Sequence, residues 1–270
     1  MNRPPRYSPP AKPLTTSAQR KLVRGVEQVV ALLTDIHEFE NSDAFEFEAT
    51  VEQVNPNQLK AEALAIGRRP MPEDWSLRAG EAVQNLRAAL DHATFAKSPT
   101  NEFTQFPITT SRRQFKAAST KDLEGVDEET RAIIEKHQPW NVAPEQPNEA
   151  GLELLRRMSN ADKHRELVAV ATAIENEAIG TPNETEVKWI EFATGKQLKV
   201  GSQVVSKLEI SNANPISPGQ IEFHLGFKVT IEGYDATILK GFVDDVFPAL
   251  AEMENGRPLD PFAPYPITLI

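Results

Sequence analysis

The stretch EDWSLRAGEAVQNLRAALDHATFAK, Glu73 to Lys97, decides how the rest of the chain is read. Pro70 and Pro72 stop whatever precedes it, and Glu73 and Asp74 put negative charge on a first helical turn, where the helix dipole favours it. Ala79, Ala82, Val83, Leu86, Leu90 and Ala93 then recur at spacings of three and four, which makes one apolar face. Gly80 is the weak position, costing about 1 kcal/mol against alanine, and Ser98-Pro99 ends the run. At roughly 100° per residue, Asn85 and His92 fall on nearly one line, while Arg87 stands about 140° round from His92. A long arginine side chain can still reach a phosphate held near that histidine, particularly across a dimer interface.

Composition bounds the remainder. The chain has 270 residues, 40% hydrophobic and 25% charged, enough for a sizeable core in one compact domain overall. No run reaches the apolar length of a membrane span, and the N-terminus lacks the apolar core of a signal peptide. The absence of cysteine excludes disulfides and thiolate metal sites and fits a cytoplasmic protein with no membrane partner. A net charge of −10 argues against a strongly basic, non-specific nucleic-acid binder. Residues 1–24 nevertheless carry +6, from Arg3, Arg6, Lys12, Arg20, Lys21 and Arg24, which leaves −16 on the remaining 246. Residues 1–16 read as a disordered, proline-rich basic tail. It either touches an acidic partner or a phosphate backbone, or merely solvates the chain.

From Ser17 to about Glu40, Leu22, Val23, Val26, Val29, Val30, Leu33 and Ile36 set a helical period. Phe45, Phe47 and Ala49 then alternate with Glu46 and Glu48, Asn55-Pro56-Asn57 marks a turn, and Leu59 to Ile66 returns. A β-hairpin near 44–66 is therefore expected. The alternative is that residues 45–54 continue the first helix, since glutamate and alanine are good helix formers. After the central helix, Glu102 to Ile108 reads as extended. Ser111 opens a short helix over 112–118, Asp127 caps another through His137, and 139–148 is a proline-rich loop. Asn148 then caps a helix with Leu152, Leu154, Leu155, Met158 and Ala161 inside.

Near Leu167 the chain changes character: 167–174 fits a helix or a buried strand, with β-branched content leaning to strand, and 186–192, 198–210 and 221–231 read as strand material. A helix from Tyr234 or Asp235 to about Met253 follows, with Pro248 as a kink, and 257–270 is an extended tail. The fold class is α+β: a helical part over 17–175 with an inserted β-hairpin, then a β-rich part over 176–256. That second part is a mostly antiparallel sheet plus a final helix.

The residues narrow the chemistry mainly by exclusion. The five histidines show no ligand spacing such as His-x-x-x-His, so no metal and no cofactor is expected. There is no dinucleotide fingerprint, no P-loop and no Gly-x-Ser-x-Gly elbow. What remains is histidine acid–base chemistry assisted by arginine and lysine. The candidate residues are Arg87 and His92, supported by Asn85 and by a second charged cluster, Asn160-Ala-Asp162-Lys163-His164-Arg165.

Arg87-Ala-Ala-Leu-Asp-His92 on a helix resembles the Arg-x4–6-His motif of the HEPN superfamily. The order Asn-Leu-Arg-Ala-Ala-Leu-Asp-His (85–92), Gln-Phe-Pro-Ile (105–108), Asn-Ala-Asp-Lys-His-Arg (160–165) also resembles a group of uncharacterised bacterial proteins. The second likeness spans about half the chain, and the first essentially one helix. One departure is Ala88, where HEPN ribonucleases usually carry a polar residue. The resemblance implies a HEPN-like helical bundle that forms a homodimer. It also implies a metal-independent endoribonuclease acting on single-stranded RNA, in a toxin–antitoxin or antiviral defence setting with an antitoxin or other protein partner.

In that chemistry a base takes the proton of the ribose 2′-hydroxyl, which attacks the adjacent phosphorus, and a cation steadies the charge on phosphate. Histidine suits the first task, with an ordinary pKa near about 6.5, and arginine the second, with its fork of donors. His92 would be the acid or base and Arg87 the phosphate clamp. Asn160 and His164, four apart, would be neighbours on one helix face. Lys163 and Arg165 would add phosphate-binding charge, and Asp162 would orient a histidine or neutralise Arg87.

An architectural reading stands beside this one. Arg87 and Asp91 have the i,i+4 spacing of a helix ion pair, His92 can be a core-edge histidine, and the 160–165 cluster can join two packed helices. The alternative function is accordingly a non-catalytic, dimeric HEPN-like module that binds a protein or nucleotide. Two Arg87–His92 pairs facing each other across a basic cleft favour the enzyme. A buried pair neutralised by a carboxylate favours the module.

Overall fold

A computed structural model describes residues 16–98, 103–175, 185–191, 195–212, 214–221 and 225–255. The expected terminal tails lie outside them, apart from Thr16, as does part of the strand expected over 221–231. In chain order the elements are α1 (Ser17–Glu40), β1 (Phe45–Asn55), β2 (Gln58–Gly67), α2 (Trp75–Ala96), α3 (Arg112–Asp122), α4 (Glu128–Lys136), α5 (Pro139–Val142) and α6 (Gly151–Asp162). They continue with β3 (Ala169–Glu175), β4 (Thr185–Glu191), β5 (Gly201–Asn212), β6 (Leu225–Ile231), β7 (Tyr234–Asp235) and α7 (Ile238–Asn255). The chain is α+β with antiparallel sheets.

The chain divides into two units, and the division is discontinuous. One unit takes Met1–Thr34, Asp74–Val168 and Ala236–Ile270; the other takes Asp35–Glu73 and Ala169–Asp235. The sequential split after residue 175 therefore does not describe the molecule. The hairpin joins the later strands because β2 pairs with β5, and α7 joins the helices because it packs on α2, α4 and α6.

In the helical unit, α2 is the central element. Its buried positions are wider than the predicted stripe: Gly80, Ala89 and Thr94 are buried along with Ala79, Ala82, Val83, Leu86, Leu90 and Ala93. At about 100° per residue these cover roughly half the circumference, which lets α2 meet α6 and α7 and also α1. Small residues make the contacts close. A methyl group at Gly25 of α1 would come within 2.9 Å of the Leu86 side chain. The buried Thr94 hydroxyl is satisfied within the helix, donating to the Leu90 carbonyl at 2.9 Å.

Two helix starts follow the local chemistry of the sequence. Ser111 accepts from Gln114 N–H before α3, and Asp127 accepts from Thr130 N–H before α4. Asn148 does not cap α6, which begins at Gly151 behind Ala150 with no side-chain cap. The helix expected from Tyr234 or Asp235 begins only at Ile238. Glu232 (φ 53°) and Gly233 (φ 82°) both adopt left-handed backbone, the requirement of a two-residue hairpin turn, and Ile231 pairs with Tyr234 across it.

In the sheet unit the strand orders are β1-β2-β5-β4 and β3-β6-β7. Leu59, Ala61, Leu208, Ile210, Ile216 and Ile221 form a buried cluster with Val51 against it. Phe39, Phe45 and Phe227 meet edge to face, with centroids 4.9–6.3 Å apart. The Asn55 side chain accepts from Asn57 N–H at 2.9 Å and sets the hairpin turn.

Candidate functional site

The candidate residues of α2 leave the helix on two flanks. Gly80, Gln84, Arg87 and Asp91 share one, and Asn85 and His92 the other, as about 100° per residue requires. Arg87 and His92 therefore leave α2 on different flanks, although the charges of both reach Asp91.

Arg87 and Asp91 instead bracket a single residue of the extended segment. Asp91 Oδ1 accepts the Phe106 N–H at 3.0 Å, and Arg87 Nη2 donates to the Phe106 carbonyl at 2.7 Å. The two side chains close on each other at 2.8 Å. Phe106, held in this way, is fully buried. Buried Gln138 continues the arrangement, donating to the Pro107 carbonyl at 2.8 Å and accepting from Thr109 N–H at 3.0 Å. Residues 105–109 have no strand partner among the described residues; the Gln105 N–H donates to the Asp122 carbonyl at 3.2 Å, and side chains from α2 and the α4–α5 junction take up backbone groups of Phe106, Pro107 and Thr109.

The electrostatics fit a structural clamp. The Arg87 side chain is only 13% exposed, and burial pushes its guanidinium pKa down, against the opposite pull of Asp91. Burial raises the Asp91 carboxyl, against Arg87, the Phe106 N–H, Lys163 and His92. Among the described residues Arg87 Nη1 is buried without a hydrogen-bond partner, so this nitrogen does not face solvent.

The other flank binds α1. His92 Nδ1 lies 2.7 Å from Ser17 Oγ, and Asn85 accepts from Lys21 Nζ at 3.0 Å and donates to Gln28 Oε1 at 2.8 Å. Ser17 and Gln28 carry no motif, but both recur on the face of α1 turned to α2, and that period was the only sequence signal for them.

The second cluster hydrogen-bonds α2 through one member. Asp162 Oδ2 accepts from Gln84 Nε2 at 3.1 Å, and Oδ1 lies 2.0 Å from where a Gly80 β-carbon would stand. Gln84 also donates to the Ser159 carbonyl at 2.8 Å. Packing of the 73–97 helix on the 149–165 helix thus runs through Gly80 and Gln84, and Asp162 neither orients a histidine nor neutralises Arg87. Asn160, Lys163, His164 and Arg165 are exposed. The helix ends at Asp162, so Asn160 and His164 do not share a helical face. Lys163 is the member of the cluster whose charge reaches Asp91. Gly80 was the legible clue to this joint, because a glycine inside a helix of good formers marks close approach.

A separate charged group lies at α4 and α7. Glu252 receives Lys136 Nζ at 2.7 and 2.9 Å, and His137 Nε2 is 3.4 Å away, close enough for charge but not aligned as a hydrogen bond. Burial lowers the His137 pKa against the pull of Glu252. Among the described residues no group of three His, Asp or Glu is placed to hold a metal ion, and no helix is long and apolar enough to cross a membrane. Compared with known proteins, the chain matches no family model, no curated protein and no solved structure.

Proposed function

We propose that the chain is a non-catalytic, HEPN-like binding module that acts as a homodimer and engages a protein or nucleotide, and not a ribonuclease. The observation that carries this reading is the engagement of Arg87. A phosphate clamp needs an accessible guanidinium fork, and this one is buried against Asp91 and the Phe106 carbonyl. His92, on the other flank, is committed to Ser17. The charge that a nucleotide phosphate or acidic peptide would meet is the exposed turn Lys163-His164-Arg165.

The test is incubation of the purified chain with mixed single-stranded RNA in excess chelator, with product ends analysed. The expected result is no cleavage by wild type, a dimer by light scattering, and a loss of stability in Arg87→Ala. Fragments ending in 2′,3′-cyclic phosphate, lost in a folded His92→Ala variant, would overturn the reading and restore the enzyme. The mechanism would then require base catalysis by His92, typically worth about 10²–10⁴-fold.

A further inference from the structure

The sheet unit closes its strand edges unevenly. β3 is covered on its outer side by residues 195–198: Ala173 N–H donates to Lys196 O at 2.8 Å and Leu198 N–H to Ala171 O at 2.8 Å. β6 is met by β7 and by Glu40, whose Oε1 accepts the Val229 N–H at 2.6 Å. Among the described residues no backbone group covers the outer edge of β1 in this way. This strand runs 11 residues at the end of its sheet and, among the described residues, pairs only with β2. Every second residue of such an edge points its N–H and C=O away from the sheet. Natural edges of this length are usually blunted by charged side chains, lysine above all, by proline or by a bulge, and the charges on β1 are the glutamates Glu46, Glu48 and Glu52. Phe45 to Gln53 contains no proline or lysine, and the one register shift comes after it, between Gln53 and Asn55.

The side chains on one face of this sheet form a charge ladder that stops at β1. In one cross-strand row Glu52 faces Lys60, Lys60 faces Glu209, and Glu209 faces Lys188. Lys60 and Lys188 each lie 4.0 Å from Glu209. In the next row Thr50 faces Glu62, and Glu62 faces Lys207 at 2.9 Å. The signs alternate across the sheet, so the next strand beyond β1 should present a cation to Glu52. Glu48 asks for another, since its neighbour on β2 is Leu64. Glu46 already has Arg68.

The opposite face also ends short. Ala61, Ala63 and Ala65 of β2 are at most 2% exposed. Their partners on β1 are Val51 and Phe47, which are half-buried, and Ala49, which is exposed. The apolar layer would continue over one more strand.

We propose that the outer edge of β1 docks an extended segment of another protein, with basic residues at i and i+4 and apolar residues at i+1 and i+3. The basic pair meets Glu52 and Glu48, the apolar pair packs beside Val51 and Ala49, and the backbone adds a strand to the sheet. A second copy of this chain does not fit. Its cations four apart are Arg20 with Arg24 and Arg112 with Lys116, both pairs in helices, and the intervening Lys21 and Arg113 occupy positions that should be apolar. Pairing β1 with itself would set glutamates of like charge side by side. The β1 edge belongs to the sheet unit and uses no residue of the helical module, so docking here does not depend on what that module binds.

The experiment uses the full chain and three fluorescent peptides with serine flanks: Lys-Val-Thr-Val-Lys, its Glu-Val-Thr-Val-Glu reversal, and Lys-Val-Pro-Pro-Lys. Adjacent prolines remove whichever N–H would face β1. Anisotropy should show the first peptide binding at least about tenfold more tightly than either of the others at low salt, with the advantage shrinking at about 0.5 M salt. Glu48→Lys, at an exposed position opposite Leu64, leaves one carboxylate and one cation along the edge and should cancel the preference between basic and acidic peptides while circular dichroism stays unchanged. Equal binding of the two charged peptides by wild type, full binding of the proline peptide, or an unaltered preference in Glu48→Lys would overturn the proposal. So would a dimer in light scattering that Val51→Pro dissociates, because the edge would then belong to a second copy.

Discussion

Two sets of paired charges in this molecule, one along a helix and one across a sheet, behave oppositely in structure. Arg87 and Asp91 are an i,i+4 pair in a helix, and Glu52, Lys60, Glu209 and Lys188 are a cross-strand row in a sheet. The first pair is largely out of water and also holds both polar groups of the Phe106 backbone. The lysines of the second row keep exposed side chains, 55% for Lys60 and 75% for Lys188, around a Glu209 that is 28% exposed. Spacing decides that charges can meet, but burial decides what the meeting is worth. Breaking a buried pair strands a charge, whereas breaking an exposed one returns it to water.

The largest effect expected from this comparison is therefore at Arg87. Arg87→Ala leaves Asp91 and the Phe106 carbonyl without their cation and should destabilise the protein by about 3 kcal/mol. That is the lower end for a buried pair, because Asp91 remains 30% exposed. Urea titration reads this directly. The double variant Arg87→Met with Asp91→Leu should lose less than the single change, since no charge is stranded. A single variant within experimental error of wild type would erase the distinction between the two sets.

Next comes the joint beside the clamp. Replacing an exposed helical glycine by alanine ordinarily stabilises by about 1 kcal/mol. Gly80→Ala should lose that gain, since the new methyl overlaps the Asp162 carboxylate and turns it away from Gln84. Adding Asp162→Ala to it should recover part of the loss, and the coupling in that double-mutant cycle is the measured quantity. Additive effects would mean that α2 and α6 do not meet at this point.

These sites show where sequence reading works and where it stops. Helix periods, the Asn55-Pro56-Asn57 turn and the caps at Ser111 and Asp127 are local chemistry, and each is found where its residues place it. The direction of each side chain on α2 is equally local, so Arg87 and His92 stand on different flanks as their spacing requires. What fills each flank is not local. Phe106 reaches Arg87 from 19 residues away, and Ser17 reaches His92 from 75. No pattern within α2 could tell a phosphate clamp from a backbone clamp. The division into units was hidden for the same reason, because β2 finds β5 across more than a hundred residues.

A third charge lies between the two extremes. Asp245 of α7 is half-buried over Gly151, and burial together with neighbouring Asp244 pushes its carboxyl up from 3.8 to about 6. The folded protein thus holds this proton more tightly than the unfolded chain. The resulting stability is fully present below about pH 4 and is lost as pH rises through 6. Asp245→Asn cannot titrate, so it should be more stable than wild type by about 1–2 kcal/mol at pH 8. This is less than the full shift implies, because part of the carboxylate remains in water. The advantage should fade towards pH 4. Thermal melts of both proteins across that range test it, and a constant difference at all pH values would remove titration as the cause.

The smallest effect belongs to the exposed ladder. Lys60 is the middle cation, between Glu52 and Glu209, yet its side chain is 55% exposed and its nearest ion-pair distance is 4.0 Å. Lys60→Ala should lose no more than about 0.5 kcal/mol in low salt and essentially nothing in high salt, as solvent screening dictates. Lys60→Glu should lose more than Lys60→Ala, because it places three carboxylates in one cross-strand row and like charges opposite each other repel. A salt-insensitive loss as large as that of Arg87→Ala would mean that Lys60 acts through packing of its alkyl chain. In that event the alternation of signs would not predict what a strand added beyond β1 should carry.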